Sequence, residues 1–556
     1  MTSALLQDYL AVAAEGRAGD TAIVMGDERM TYAELQLTSN RVANLLAALG
    51  ARRHDRVCML TGRAPNTVAA MLGVLGAGCA YVPIDATGPV KRAARILAET
   101  EPRVVLVDRA GLALLDGLEA AGSVARSTPV ACLDADPPPG NGARVGPAAI
   151  AASGDAAPPS RGDPTDPAHI LFTSGSTGRP KGVVIQHASV TAFIEWAVPH
   201  FGIRPGERLS GHPPLHFDLS SFDIYGSLRA RAELHLVPPL TILPRQLIEF
   251  IAGSELTQWF SVPSAMTYIR NGGLPDAGFP ALERVIWCGE VLPPPVLIDW
   301  MRHVPQARFT NLYGPTEATI ASSHHTVERL PDSDTAPIPI GTACAGEELL
   351  VLGDDGQPVA PGESGQLAIA GTGLSPGYWR DAAATAAAFV PDPRPGPHHD
   401  RIYLTGDFAR CHLDGTHHFL GRRDTQIKSR GYRIELGEIE TAVSALPEVA
   451  ECAVLGVASD GFEGTAICCA YAPSDGHDPD PASLRTSLRD ALPDYMLPGR
   501  WRVWQTLPKN VNGKIDRRAL EETFAAGRPA GDRRAGDGPA AGRSAGDHAR
   551  AGRTEC

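Results

Sequence analysis

The stretch Ala168-His-Ile-Leu-Phe-Thr173-Ser-Gly-Ser-Thr-Gly-Arg-Pro-Lys181-Gly182 decides how the rest of the chain is read. Its first part is an apolar run of strand length. Its second part sets Thr173, Ser174, Gly175, Ser176, Thr177 and Gly178 ahead of Lys181. Glycines let the backbone turn tightly and aim N–H groups at an anion, hydroxyls add donors, and Lys181 adds positive charge. The segment therefore reads as a strand that opens into a phosphate cradle. It differs from the P-loop of nucleoside triphosphatases, because Lys181 follows a proline and precedes a glycine where that loop has a hydroxyl for magnesium. Taken alone, a solvated Ser/Gly loop explains it equally well.

Outward from this segment, helical and extended patterns alternate. Leu35, Val42, Leu45, Leu46 and Leu49 recur at helical spacing, and RVCML, CAYVPI and RVVLVD are short apolar runs bounded by turns. The pattern predicts an α/β fold, with mainly parallel sheets in a large, multi-layered N-terminal domain over residues 1–423. Residues 134–167 are rich in Ala, Gly, Pro, Ser and Asp and read as a surface connection without a packed element. Near Asp424 the texture changes to IKSRGYRIELGEIETAVSAL, a charged hairpin followed by an amphipathic helix. A boundary there predicts a small, mobile α+β C-terminal domain over 424–524 with one modest core. Residues 525–556 have almost no apolar bulk and read as a disordered tail.

The 556 residues suffice for several domains, and 43% hydrophobic with 20% charged side chains is a globular composition. With 63 acidic against 50 basic side chains, the net charge of −13 disfavours a nucleic-acid partner. No basic segment precedes an apolar run at the start, and no run of about eighteen apolar residues occurs, so the expectation is a cytoplasmic protein without a membrane partner. The ten cysteines include no C-x-x-C pair, which argues against a disulfide framework or zinc ribbon. The pairs His324-His325, His398-His399 and His417-His418 read as surface or loop residues.

Two further clusters carry chemistry. In Asn311-Leu-Tyr313-Gly314-Pro-Thr316-Glu317, the ring offers a flat face for a base, Thr316 a donor for a phosphate oxygen, and Glu317 a hard oxygen for Mg²⁺. In Tyr403-Leu-Thr-Gly-Asp407, a strand ends in a carboxylate that can accept from a ribose diol, although an aspartate capping a turn is the commoner case. Lys514 in Asn512-Gly-Lys514 is, by itself, a solvated turn residue.

Taken together and in order, these segments resemble the amino-acid adenylation domains of nonribosomal peptide synthetases, within the superfamily of acyl- and aryl-CoA synthetases and luciferases. The matching blocks run from about Thr31 to Asp516: TYAEL, LGAGCAYVPID, FTSGSTGRPKG, FDLS, NLYGPTE, GQLAIAGTGLSPGYW, YLTGDF, GRRDTQIKSRGYRIELGEIE, LPDYMLP and NGKID. Ser375-Pro376 departs from the pattern, where such enzymes often carry a small residue and an arginine, and reads as lying outside the chemistry.

The resemblance implies attack of a carboxylate on the α-phosphorus of ATP, giving an acyl-adenylate and pyrophosphate, and then transfer to a phosphopantetheine thiol. It implies ATP and Mg²⁺ as cofactors and catalytic roles for Lys514, Lys181 and Thr316. Thr173, Ser174, Gly175, Ser176, Thr177, Gly178, Gly289, Asn311, Tyr313, Gly314, Asp407, Phe419 and Arg422 would contact the nucleotide. Tyr313 would stack on adenine, Asp407 would hold the ribose, and Glu317 would ligate the metal. Asp424 would be the hinge about which the small domain turns, bringing Lys514 in for the first half-reaction and removing it for the second.

Asp218 in Phe217-Asp218-Leu-Ser matches the aspartate that pairs with an α-ammonium group; its other reading is a helix or turn cap. The blocks add Leu219, Phe222, Ser261, Ile286, Cys288, Leu312, Ile320 and Ala321 as the side-chain pocket. None is charged, which disfavours acidic and basic substrates, and Leu219, Cys288 and Leu312 fill space. L-alanine is the expected substrate, followed by glycine, serine, 2-aminobutyrate and proline. With no condensation motif and no L-G-G-x-S carrier motif after Asp516, the chain reads as a freestanding enzyme that loads a discrete carrier protein in antibiotic biosynthesis. Two alternatives stand against this: a coenzyme A ligase for a small carboxylic acid, which Asp218 disfavours, and a catalytically silent nucleotide-binding homologue, which intact Lys181, Glu317, Asp407 and Lys514 disfavour.

Overall fold

The computed structural model describes residues 5–140, 142–159, 162–175, 179–239, 241–395, 400–422, 424–459, 461, 463–510 and 514–526. Thr31 and Glu34 close a capping box on the helix Tyr32–Ala48, which satisfies two of its free N-terminal donors. The apolar runs become the strands Arg56–Thr61, Ala80–Asp85 and Val104–Val107, parallel neighbours in an eight-stranded sheet. Pro167–Thr173 joins that sheet beside Ala80–Asp85, and the chain returns antiparallel as Lys181–Gln186, with Thr173 opposite Lys181.

A nine-stranded sheet carries Arg208–Gly211, Gln258–Ser261, Arg284–Cys288 and Arg308–Tyr313 as parallel strands, flanked at one edge by antiparallel Ser323–Val327. Helices lie between the two sheets and on both outer faces. The inner apolar cluster draws Met59 and Tyr81 from one sheet and Phe260, Ile286 and Leu312 from the other. Two further clusters cover the outside. Five layers result, of the α/β kind expected.

The sequence reading did not separate out a third sheet. Glu347–Leu352, Ser364–Gly371, Phe389–Pro391, Arg401–Cys411 and His417–Arg422 pair antiparallel throughout. Residues 134–167 are also not free of structure. Arg144–Val145 pairs with Val130–Cys132, and the short helix Pro147–Ala151, started by its proline, drives Ile150 into the inner core. The surface reading of the histidines fails as well. His324 lies on Ser323–Val327 with its ring 5.2 Å from Trp196 and 4.5 Å from His200, and His417 is buried on its strand. His398 and His399 lie outside the described residues.

After Asp424 come the hairpin Gln426–Ser429 and Tyr432–Glu435 and the helix Leu436–Ser444, as the sequence pattern predicts. A three-stranded sheet of Val449–Ala458, Thr465–Pro473 and Arg500–Val503 follows. Helices Leu436–Ser444 and Pro481–Leu488 cover one face and Arg517–Ala525 the other. Both faces are therefore apolar, giving two clusters rather than one core. Cys469 faces one and Cys468 the other. The tail expected from 525 lies, beyond residue 526, outside the described residues. Among the described residues no helix is long and apolar enough to cross a membrane.

Candidate active site

Ligands of open α/β sheets bind beyond the carboxyl ends of parallel strands. Here Gln258–Ser261, Arg284–Cys288 and Arg308–Tyr313 end side by side and deliver Cys288, Gly289, Leu312, Tyr313 and Gly314 to one edge. Gly289 has φ +100°, where side chains are strained. A Cβ on Gly314 would fall 2.5 Å from the Ala321 Cα, so glycine lets the strand pass the turn at 319–321. In that turn Thr319 and Ile320 take φ +54° and +69°, conformations that persist only where surrounding structure imposes them.

A cleft of about 770 Å³ opens at this edge, lined by Gly289, Asn311, Leu312, Tyr313, Asp407, Phe419, Arg422 and Asp424, and by Lys428 of the hairpin. The Tyr313 hydroxyl donates to Asp407 at 2.5 Å, and Arg422 donates to the other Asp407 oxygen at 2.5 Å while pairing with Asp424 at 2.6 Å. Asp407 is thus a buried carboxylate held by a phenol and a guanidinium, not a turn cap. The Lys428 ammonium stands 5.6 Å from the Tyr313 ring centroid. Asn311 is tied to the Pro339 carbonyl at 2.8 Å.

Asp218 occupies the N-cap position of helix Leu219–Ala230 but makes no capping hydrogen bond there. The Thr316 hydroxyl and the Leu219 amide lie close enough to favour its ionised form. It is buried, and among the described residues it has no ion-pair partner. Burial, with Glu317 nearby, pushes its carboxyl up to about 6, while Thr316 and Lys428 pull the other way.

Of the eight residues expected to surround the substrate side chain, Leu219, Phe222, Ile286, Cys288, Leu312, Ile320 and Ala321 are buried in one contiguous cluster. Cys288 and Leu312 are cross-strand partners, and Phe222 packs edge-on to Phe260 at 5.4 Å. Burial pushes the Cys288 thiol up to about 12, so it is a neutral wall. Ser261 differs. It pairs with Trp287, and strand alternation directs it to the face opposite Cys288 and Leu312, where its hydroxyl donates to the Val262 carbonyl.

Glu317 is fully buried, accepting from Arg433 at 2.6 Å and from the Tyr378 hydroxyl at 2.8 Å. Burial raises its carboxyl, but the Arg433 guanidinium, the Tyr378 hydroxyl and a backbone amide together outweigh it and hold it below the usual range. In the cradle, the Ser174 hydroxyl donates to the Arg433 carbonyl at 2.6 Å, and the Gly175 amide faces Glu438 at 3.4 Å. Thr173 ends its strand, and Lys181 stands 5.4 Å from the Tyr378 ring centroid. Ser176, Thr177 and Gly178 lie outside the described residues. The Ser375-Pro376 departure is not remote: the Ser375 amide donates to the Glu317 carbonyl at 2.8 Å, and Arg401 holds the Ser375 and Pro376 carbonyls.

Lys514 is not brought to this site. It is exposed on a turn of the small domain, its amide donating to Asn510 at 3.1 Å, and the hairpin stands at the cleft instead. Four residues there were missed by sequence reasoning. They are Lys428 and Arg433 from the hairpin, Glu290, which accepts the Gly431 amide at 2.7 Å, and Tyr378. The signal for two of them was the basic character of IKSRGYR.

The AMP-binding enzyme family model matches residues 10–379, and that of the AMP-binding enzyme C-terminal domain matches residues 438–514. An L-proline–[L-prolyl-carrier protein] ligase of Pseudomonas fluorescens is 35% identical over 505 residues, 90% of this chain and 95% of that one. A ligase of the same description from Streptomyces coelicolor is 35% identical over 507 residues, 89% and 92% of the two chains. Tyrocidine synthase 3 of Brevibacillus parabrevis is 33% identical over 93% of this chain, which spans 7% of that much longer protein. Among solved structures, holo-PA1221, a nonribosomal peptide synthetase protein with adenylation and carrier domains, superposes with a TM-score of 0.78 at 26% identity, over 93% of this chain and 84% of that one. The chain belongs to the AMP-binding enzyme family, as an adenylation domain of the nonribosomal peptide synthetase type and hence an adenylating ligase.

Proposed function

We propose that this domain converts a small, neutral L-amino acid into its aminoacyl-adenylate and passes the acyl group to the phosphopantetheine thiol of a discrete carrier protein. The observation that carries the amino-acid reading is Asp218, a buried carboxylate beside the cleft without a cationic partner among the described residues. Leaving such a group unpaired costs several kcal/mol, and a substrate ammonium relieves it. The named relatives supply support for carrier loading, since the two proline ligases are spanned over nearly their whole length.

In this reading the substrate ammonium pairs with Asp218, its side chain enters the cluster of Phe222, Cys288 and Leu312, and its carboxylate points toward the cradle. Tyr313 supports the adenine face, while Asp407, held by Tyr313 and Arg422, accepts from the ribose diol. Thr316 and Lys181 donate to phosphate oxygens. A single buried carboxylate suits Mg²⁺, which takes most of its ligands from substrate phosphates and water; Glu317 would hold it, in the place Arg433 takes here. When bound, the ion neutralises charge on the departing pyrophosphate. Lys514 neutralises charge between the carboxylate and the α-phosphate, which requires the small domain to turn about Asp424 from the position seen here.

The filled pocket favours L-alanine among small side chains, and the proline ligases put L-proline beside it, ahead of glycine, serine and 2-aminobutyrate. The test is amino-acid-dependent pyrophosphate release with ATP and Mg²⁺, with hydroxylamine for turnover and acetate and propionate as controls. Release with a small amino acid is the expected result. Release with the amine-free acids would remove Asp218 as the ammonium anchor and put a coenzyme A ligase in its place.

A further inference from the structure

On the adenylation reading above, two charges from the small domain occupy the triphosphate and metal positions. The cradle offers donors to an anion, yet Gly175 faces the Glu438 carboxylate at 3.4 Å, and Arg92 pairs with that carboxylate at 2.9 Å. Glu317 offers oxygens to a cation, yet the Arg433 guanidinium takes one at 2.6 Å, steadied by Gln426 at 2.7 Å, and the Tyr378 hydroxyl takes the other at 2.8 Å. The Ser174 hydroxyl is spent on the Arg433 carbonyl. Glu438 and Glu317 are 5% and 1% exposed, so both carboxylates are buried in these contacts.

We propose that Glu438 and Arg433 are positioning residues for the acyl-transfer half-reaction, docking the small domain by replacing pyrophosphate with a carboxylate and magnesium with a guanidinium. This rests on the adenylation reading above. The charges reproduce the signs of magnesium pyrophosphate place for place, so docking and pyrophosphate binding exclude one another. The first product must leave before the small domain seats, and once it is seated the cradle cannot take pyrophosphate back. Arg92 belongs to the device because it neutralises Glu438 from the large domain.

The test uses the full chain. Hydrogen exchange of hairpin residues 426–435 is followed while magnesium pyrophosphate is titrated, with AMP alone and Mg²⁺ alone as controls. Protection is expected to fall with magnesium pyrophosphate and to persist in both controls. In Glu438→Gln, half-loss is expected at about tenfold less pyrophosphate, since one partner of a buried pair is gone. Arg92→Gln/Glu438→Gln removes the pair without leaving a buried charge, guards against misfolding, and should behave the same way. In both variants, amino-acid-dependent pyrophosphate release should stay within about twofold of the parent while transfer from preformed aminoacyl-adenylate to a phosphopantetheine thiol slows about tenfold or more. Hairpin protection that ignores pyrophosphate in a chain that does release it would overturn the proposal and leave the adenylation reading standing. Equal slowing of both half-reactions would also overturn it. Absence of pyrophosphate release with every amino acid would instead strike the adenylation reading.

Discussion

Replacing Asp218 by asparagine should stabilise the ligand-free protein while disabling it. Burial raises the Asp218 carboxyl from 3.8 to about 6, and at about 1.4 kcal/mol per unit this strain amounts to roughly 3 kcal/mol once the group is ionised in the fold. Asparagine keeps the shape, but its amide N–H groups lack a partner and take back about 1–2 kcal/mol. A net gain of about 1–2 kcal/mol is therefore expected above pH 6. The sign follows from proton counting. Between the unfolded and folded values the native state holds more protons than the unfolded one, so wild-type stability falls as pH rises through that window. The advantage of the variant should be absent below about pH 4, grow from pH 4 to pH 6, and then level off. Urea unfolding of both proteins from pH 4 to pH 8 measures it, and pyrophosphate release at pH 8 should show amino-acid use reduced about a hundredfold or more with ATP affinity little changed. A variant destabilised by the same amount at every pH would refute the picture of Asp218 as a desolvated carboxylate waiting for a cation.

Other expectations follow from the same geometry. In the wild type, the KM for the amino acid should rise as pH falls below about 6, because protonated Asp218 no longer attracts an ammonium, whereas the KM for ATP should stay level; parallel changes in both would argue against the assignment. Lys514→Ala should lower adenylate formation by about a hundredfold or more without altering thermal unfolding, since the residue is exposed on a turn. Tyr313→Phe removes the donor that holds Asp407 and should raise the KM for ATP about fivefold to tenfold while sparing the amino acid. Leu312→Gly should admit longer apolar side chains such as valine and leucine at a stability loss of about 2–5 kcal/mol, read by substrate profiling alongside urea unfolding.

Much of this architecture was legible because local pattern and tertiary role agree. RVCML and RVVLVD lie buried in a parallel sheet covered by helices on both faces, and such strands read as continuous apolar runs. The antiparallel third sheet escaped because its longest strand, Arg401–Cys411, alternates buried with half-buried positions and blends with the turns around it. Ile150 escaped because one isoleucine among alanines and glycines carries no periodicity, yet one docked side chain suffices to seat a helix of five residues. At the candidate site, Asp218, Asp407 and Glu317 could be nominated because each stands in a motif. Arg433 and Glu438 were read only as hairpin and helix charges, since their partners, Glu317 and Gly175, are 116 and 263 residues away in the chain. The spacing that assigned Ser261 to the pocket ignored the pleat, and the pleat turns it away.

The wall of the proposed side-chain pocket is also the middle of the protein. Ile286, Cys288, Leu312 and Phe222 belong to the apolar cluster that joins the two large sheets. A change of substrate preference is consequently a change of core packing, and selection for a new amino acid acts on foldability through the same atoms. Evolution of this enzyme toward another substrate should therefore proceed fastest from variants that first acquire spare stability elsewhere, for instance in the small domain, whose clusters share no residue with this one.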